Sequence, residues 1–330
     1  MRWRAAGRAL LALVGLALIA YLVERAGPAR VARVIGEAWR WLPVILALEL
    51  VQLVSDFVSL RSILREGWRQ VPASTWVRSS ALAYALMILV PAGRAAGEVA
   101  RATFIARHVG APRAAAASTQ LQAAYLAANG LMSAAACAAV ASRFGMSAPL
   151  ALLLAANVAF QAAIATSLIA ILRHGRLGRW LDRQRRRFVP GAVESPPLDP
   201  EARRRLPWGA LGASTFARTA QLVQYGVILH AVGGVVTTRN AFIAHGIHLV
   251  GATLGDLLPN QLGVVDGTYL AFAPALGFGD TPARALSIAF VAHIAQLILA
   301  AACVAVVVVT RRAARGREGE PASARAGARS

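Results

Sequence analysis

An acidic residue stands inside apolar sequence in residues 257–277, where Pro259 precedes Asp266 by seven residues. Proline removes a backbone donor and ends or kinks a helix, and glycine allows close backbone approach. In lipid, a broken helix is tolerated only where protein or a water-filled cavity satisfies the freed backbone groups. The motif therefore predicts a polar interior lined by Pro259, Asn260, Gln261, Gly263, Asp266 and Gly267.

The same pattern occurs earlier, in residues 89–110, where Pro91 precedes Glu98 by seven residues. Arg101 follows Glu98 by three residues, so the two side chains can touch on a helix. Interrupted hydrophobic segments at matching positions of two halves point to the binding site of a transporter. The candidate site residues of this motif are Pro91, Gly93, Arg94, Gly97, Glu98 and Arg101.

The composition is that of a membrane protein. Of the 330 residues, 57% are hydrophobic and 15% are charged, whereas soluble domains carry about 25% charged residues. The net charge of +20 comes from arginines that lie between and after the apolar segments, as in the cytoplasmic loops of membrane proteins. This placement argues against a nucleic-acid-binding protein.

Apolar runs approach the ~20 residues that cross a bilayer. They predict an all-α, polytopic membrane protein with about eight apolar helical segments and two broken or re-entrant segments. The predicted helices cover residues 10–23, 41–60, 76–90, 118–141, 148–172, 208–232, 240–258 and 283–309.

We predict one integral membrane domain in residues 1–310, with candidate repeats at 41–172 and 208–310. A basic cytoplasmic loop at 173–206 separates the repeats, and residues 311–330 are predicted to form a disordered cytoplasmic tail. The arginine-rich N-terminus, loop and tail all belong in the cytoplasm, which requires an even number of crossings in each half. Five of the predicted helices precede the loop and three follow it, and both numbers are odd. The numbers become even if residues 76–107 and residues 240–277 each enter and leave the membrane on one side, which makes the repeats inverted.

At its first motif the chain resembles the lysylphosphatidylglycerol synthase transmembrane family, whose members are also described as flippase-like integral membrane proteins. The first motif of that family looks like P-x-G/R-x-GE-x-x-R. Its counterpart here is Pro91, Gly93, Gly97, Glu98 and Arg101.

The second motif of the family looks like P-x-P-x-G-x-G-x-x-E followed by a glycine, and it is similar to the segment around Pro259, Gly263 and Gly277. Asp266 stands at the acid position, where the family has Glu. An arginine often found on the next helix is absent, and His293 lies near its place. The turn itself also departs from the family pattern, in Asn260, Gln261 and Leu262.

The resemblance implies a lipid translocase or lipid-transport accessory of the bacterial inner membrane, with a polar-headgroup membrane lipid as its partner. Arg94 and Arg101 would attract an anionic phosphate, because guanidinium matches phosphate geometry, and Glu98 would orient Arg101. Asp266 and its polar neighbours would hold the head group from the other side. Residues 310–330 are too short for a soluble synthase domain, so synthesis of lysylphosphatidylglycerol is not expected.

Two alternatives come from other functional classes, although the chain carries no catalytic motif and is not expected to be an enzyme. One is a membrane-bound transferase that acts on a lipid-linked substrate, with Glu98 or Asp266 as base. The other is a scaffold that assists an envelope-lipid biosynthetic enzyme.

The two motif acids, Glu98 and Asp266, are expected to face a shared interior. Arg101 is the local partner of Glu98, but no basic residue lies within a helical turn of Asp266. Its partner must come from another helix, with Arg218 as the first candidate and His293 as the second.

Two further acids, Glu49 and Asp56, are seven residues apart and so lie on one helix face. Acids inside a membrane face a bundle interior or a cavity. Asp56 is also close to the basic segment that follows it, where Arg61 or Arg65 could pair with it.

No metal or cofactor is expected. His245 and His248 are three residues apart, but no further ligand stands at a supporting spacing. Cys137 and Cys303 lie singly in separate apolar segments, where free cysteines serve as small packing residues.

Overall fold

The computed structural model describes residues 13, 15, 17–173 and 207–318, and the described residues form helices and short connections without a strand. The all-α class predicted from the sequence is therefore confirmed. The predicted basic loop falls outside the described residues from position 174 to 206, as does residue 319 onward of the predicted tail.

The described helices are numbered in chain order. They are α1 (17–26), α2 (Pro28–Ala38), α3 (Leu42–Leu64), α4 (Ala73–Leu89), α5 (Gly93–Val109), α6 (Ala111–Phe144), α7 (Pro149–Arg173), α8 (Trp208–Ala231), α9 (Thr238–Leu254), α10 (Val264–Ala271) and α11 (Pro282–Glu318). Short 3-10 turns occur at Trp39–Trp41, Arg65–Gln70, Pro259–Gln261 and Ala273–Leu276.

Four helical stretches of the described chain are long and apolar enough to cross a membrane: Pro28–Gln70, Ala111–Phe144, Pro149–Arg173 and Pro282–Arg311. They support a polytopic membrane protein, while the count of about eight apolar segments stays a prediction. Helix α11 continues to Glu318, so residues 311–318 are helical although the sequence predicts a disordered tail from position 311.

The first proline motif forms the tip of a helical hairpin. Helices α4 and α5 run antiparallel, because Thr75 lies beside His108 at the open end, with 3.5 Å between Oγ1 and Nε2. Nearer the tip, Gly97 lies against the backbone of Ala83. Pro91 stands in the three-residue connection between the arms, where its missing backbone donor is harmless.

The second proline motif forms a matching hairpin from α9 and α10. The Tyr269 hydroxyl donates to the Ala244 carbonyl at 2.8 Å, and nearer the tip Gly251 lies against Val265. This antiparallel pairing places Pro259 at the tip. Both segments that the sequence predicts to be broken are therefore broken.

The residue after each tip proline has the same unusual backbone conformation. Ala92 has φ 50° and ψ 38°, and Asn260 has φ 47° and ψ 21°. This left-handed region costs a non-glycine residue free energy, so its occurrence at both tips is a structural signature that the two hairpins share.

The packing of the helices repeats under exchange of the two halves. Helix α3, the first hairpin and α6 correspond to α8, the second hairpin and α11. Helix α4 packs on α11 as α9 packs on α6, and α3 packs on α11 as α8 packs on α6.

The corresponding helices α3 and α8 also pack on each other, and they do so antiparallel. The Ser59 hydroxyl donates to the Ala210 carbonyl at 3.4 Å, while Gln224 Nε2 donates to the Ile45 carbonyl at 3.1 Å near the other end of the pair. Antiparallel equivalents are the arrangement that inverted repeats produce.

Gly97→Ala is expected to destabilise the first hairpin by about 1–3 kcal/mol, as overpacking does. A Cβ at Gly97 would lie 2.5 Å from the Ala83 carbonyl oxygen, and a backbone atom cannot rotate away. The control is Gly212→Ala in helix α8, where a Cβ meets nothing within 4 Å. Thermal unfolding in detergent should separate the two variants, and equal melting temperatures would contradict the close approach.

Candidate functional site

Arg101 on α5 lies between two acids. Its Nη1 is 3.3 Å from Glu98 Oε1, and its Nη2 is 3.8 Å from Asp56 Oδ2. The side chain is only 3% exposed. Asp56 therefore pairs with Arg101 rather than with Arg61 or Arg65. Two carboxylates already compensate the charge of Arg101, which the sequence analysis expected to bind a phosphate.

Arg94 and Arg218 meet on one aromatic ring. The guanidinium carbons of Arg94 and Arg218 lie 3.1 Å and 4.6 Å from the centre of the Tyr125 ring. The two carbons are therefore at most about 8 Å apart, which concentrates positive charge beside one ring. No acid among the described residues forms an ion pair with either arginine.

A buried network of polar side chains joins α3 to α8. Glu49 accepts hydrogen bonds from Tyr84 at 2.8 Å, from Gln224 at 2.9 Å and from Gln52 at 3.1 Å. Both carboxylate oxygens are thus satisfied, as a buried charge requires.

Arg218 completes this network from α8. Its Nη2 donates to Gln52 Oε1 at 3.0 Å, and its Nη1 donates to Gln221. Gln221 in turn lies 3.2 Å from the ring nitrogen of His245 on α9. The charge of Arg218 is therefore linked to that of Glu49 through a single glutamine.

Asp266 is fully buried at the start of α10. Its Oδ2 accepts from the backbone N–H of Gly263 at 2.7 Å, which caps the helix. The same oxygen lies 3.4 Å from Nε2 of His293 on α11. The second candidate partner, His293, is therefore the one that the structure pairs with Asp266, and the first candidate, Arg218, was wrong.

Asn260 sets the orientation of His293. Its side-chain amide nitrogen, a donor only, lies 3.0 Å from Nδ1 of His293. The other ring nitrogen, Nε2, is the one that lies near Asp266, and it has no hydrogen-bond partner among the described residues. Asn260 is 5% exposed and His293 is 5% exposed, so the three side chains form a buried cluster.

Three of the four candidate glycines serve close packing. Gly93 and Gly97 lie against the backbone of α4, and Gly263 lies against Leu18 of α1. Gly267 has more room, since a Cβ there would meet only Leu22, at 4.0 Å. Gln261 has a positive φ of 55° and packs beside Gly255, away from the contacts of Asp266 given above.

Several buried polar atoms at both motifs have no hydrogen-bond partner within the described part of the chain. These atoms include Glu98 Oε2, Arg101 Nε, Asp266 Oδ1, Nε2 of the neighbouring His293 and, on α8, Arg218 Nε. Buried polar atoms without partners are costly, so the two motifs retain hydrogen-bonding capacity that a polar ligand can use. No direct contact joins Glu98 to Asp266 among the contacts of the described residues.

Sequence reasoning missed the residues that hold Arg218 beside Arg94 and Glu49. Tyr125 and Gln52 hold Arg218, and neither is in the predicted site. A signal was present: Glu49 precedes Gln52 by three residues as Arg218 precedes Gln221. Polar residues at this spacing share a helix face, and on corresponding antiparallel helices the two faces meet.

The described residues contain no group of three or more His, Cys, Asp or Glu side chains that could hold a metal ion. The arrangement instead offers guanidinium groups for an anion at one motif, and a buried Asp–His–Asn cluster at the other.

In a comparison with protein families, residues 8–303 match the model described as lysylphosphatidylglycerol synthase TM region. No curated protein and no solved structure matches the chain. The family match spans every described helix up to most of α11.

Proposed function

Because the chain belongs to the lysylphosphatidylglycerol synthase TM region family, we propose that it is a flippase-like translocase or lipid-transport accessory. In this proposal it moves a lipid with a phosphate-bearing head group across the inner membrane of a bacterial cell. The family and the apolar helices support a membrane protein linked to lipid metabolism or translocation.

The pairing of Arg94 with Arg218 carries the proposal. Two guanidinium groups on one ring concentrate positive charge, and Glu49 reaches only Arg218, through Gln52, so an anion that binds both arginines is favoured. A phosphodiester supplies that anion, and its oxygens match the planar donors of arginine. Arg101, which the sequence also assigns to the phosphate, instead holds Glu98 and Asp56 in place.

The tips of the two hairpins offer a way to release the head group. The turn Pro259–Gln261 packs on α4, the first arm of the other hairpin. A shift of the second tip would therefore displace that arm of the first hairpin. Polar atoms of Glu98 and Asp266 that lack partners would replace water around the head group while the acyl chains remain in lipid.

Reconstitution in liposomes tests the proposal. A membrane-impermeant quencher is added to vesicles that contain the purified protein and a fluorescent phosphatidylglycerol. Without protein it removes only the fluorescence of the outer leaflet, about half of the total, and with protein it should remove more. The expected result is leaflet exchange with the lipid recovered chemically unchanged. A modified lipid would favour a transferase instead, and no exchange together with no modification would contradict the translocase.

Arg94→Gln is expected to slow leaflet exchange about tenfold, because a charge-assisted hydrogen bond contributes about 1.5–3 kcal/mol. The matched control is Arg107→Gln on the same helix, where an exposed arginine also lies over an aromatic ring, that of Phe104 at 6.0 Å. Equal exchange rates for the two variants would show that Arg94 does not hold the phosphate.

A further inference from the structure

A pocket of about 480 Å³ lies at the end of α3, on the outside of the helix bundle. The 3-10 turn Arg65–Gln70 forms its wall. The lining side chains that matter are Val58, Arg61, Arg65, Glu66, Trp68 and Arg69. The pocket shares no residue with the interior site described above.

The pocket is positively charged. Three arginines line it against one acid, and none of the three forms an ion pair with another described residue. The guanidinium of Arg61 lies 4.1 Å from the centre of the Trp68 ring, which holds it at the pocket wall and leaves its N–H donors free.

The arginines of the pocket are not needed to cap α3. Arg113 does this from α6, since its Nη2 donates to the Leu64 carbonyl at 3.0 Å. The same guanidinium occupies the space beside Gly67, where a Cβ would lie 2.7 Å from it. A fourth arginine thus satisfies the helix end and leaves Arg65 and Arg69 available to a ligand.

Arg65 has a strained backbone, with φ 50° and ψ −128°. This conformation belongs to the first central position of a type II′ turn, which glycine dominates. Strained residues of this kind cluster at ligand sites. The strain at Arg65 is therefore in keeping with a ligand site at this place in the pocket.

An apolar stripe leads along α3 into the pocket. Leu50, Val54 and Val58 are 47%, 50% and 45% exposed, and their spacing of four residues places them on one helix face. Val58 is also part of the pocket lining. An acyl chain that lies on the stripe therefore has its polar end at the arginines.

We propose that this pocket binds the phosphate of an anionic phospholipid whose acyl chain lies along Leu50, Val54 and Val58. Arg61, Arg65 and Arg69 contact the phosphate, and Trp68 sits at the level of the head groups, where aromatic side chains are enriched. A soluble anion would bind the arginines but would not contact the apolar stripe. The continuity of the stripe with the arginines therefore favours a lipid.

Native mass spectrometry of the full chain in detergent tests the site, with phosphatidylglycerol and phosphatidylcholine of the same acyl chains as probes. All variants carry Arg94→Gln, so that binding at the interior site does not contribute. The structure predicts preferential binding of phosphatidylglycerol, and the double variant Arg65→Gln/Arg69→Gln should weaken it about 25-fold, at about fivefold for each arginine. The control is Arg40→Gln, where an exposed arginine lies 5.9 Å from the Trp41 ring centre at the other end of α3.

Three outcomes would overturn the proposal. They are equal binding of the two lipids, equal phosphatidylglycerol binding by the double variant and the control, and full displacement of the lipid by excess inorganic phosphate, which would identify a soluble anion as the ligand. Arg65→Gly guards against a folding artefact. Glycine relieves the strained backbone, so this variant should have a higher melting temperature and weaker lipid binding. A higher melting temperature together with stronger lipid binding would also contradict the proposal.

Discussion

Arg218→Gln is expected to destabilise the folded protein by about 3–5 kcal/mol, the cost of removing one member of a buried, linked charge pair. The substitution leaves Glu49, which is 3% exposed, with neutral donors only. It also removes the donors to Gln52 and Gln221, so the seam between α3 and α8 loses its one positive charge among the described residues.

The double variant Glu49→Gln/Arg218→Gln should recover most of that loss. A glutamine at position 49 keeps one oxygen that can accept from the Tyr84 hydroxyl, and the pair then carries no charge. A buried pair that is removed whole costs far less than one that is broken. We therefore expect the double variant to be more stable than Arg218→Gln alone, a non-additivity that defines interacting residues.

The two buried free cysteines, Cys137 and Cys303, provide the measurement. A thiol-reactive fluorogenic dye reports their exposure during thermal unfolding in detergent. The control is Arg284→Gln, because Arg284 makes a single exposed hydrogen bond, to the Gly233 carbonyl. A double variant no more stable than Arg218→Gln would show that Glu49 and Arg218 do not depend on each other.

The hairpins were accessible from the sequence because a proline dictates where a helix must break. Pro91 and Pro259 mark the two tips, and the equal distance to the following acid is what predicts the repeat. What the sequence could not give is the antiparallel contact of α3 with α8. That contact depends on side-chain fit between helices that are far apart in the chain, and local sequence patterns contain no information about such a fit.

The partners of the motif acids show the same limit. Glu98 and Arg101 are three residues apart and were predicted to touch, whereas the pairing of Arg101 with Asp56 joins α5 to α3. Asp266 reaches His293 because α10 begins only at Val264, five residues after its proline, while α5 begins at Gly93, two residues after its own. Equal spacing in sequence thus gives Glu98 a place within the helix and Asp266 a place at its cap.

Asp266→Asn is expected to slow leaflet exchange by about ten- to a hundredfold, the range that the loss of a charged hydrogen-bonding group gives. The substitution preserves an oxygen that accepts from the Gly263 backbone N–H, so the start of α10 remains capped. It removes the negative charge 3.4 Å from His293 Nε2, and with it the group that orients the head group in the proposed function. The melting temperature should therefore change little.

Asp266→Ala separates the structural contribution of Asp266 from that of its charge. Alanine leaves the buried Gly263 N–H without an acceptor and the His293 ring without the neighbouring carboxylate, and we expect a further loss of about 1–3 kcal/mol in folding free energy. The matched control is Asp256→Asn, an exposed acid after α9 near the same hairpin tip, which should alter neither exchange nor stability. If Asp266→Asn exchanges lipid at the rate of the Asp256→Asn control while Asp266→Ala unfolds early, then Asp266 is only a helix cap, and the second motif has no direct part in moving the lipid.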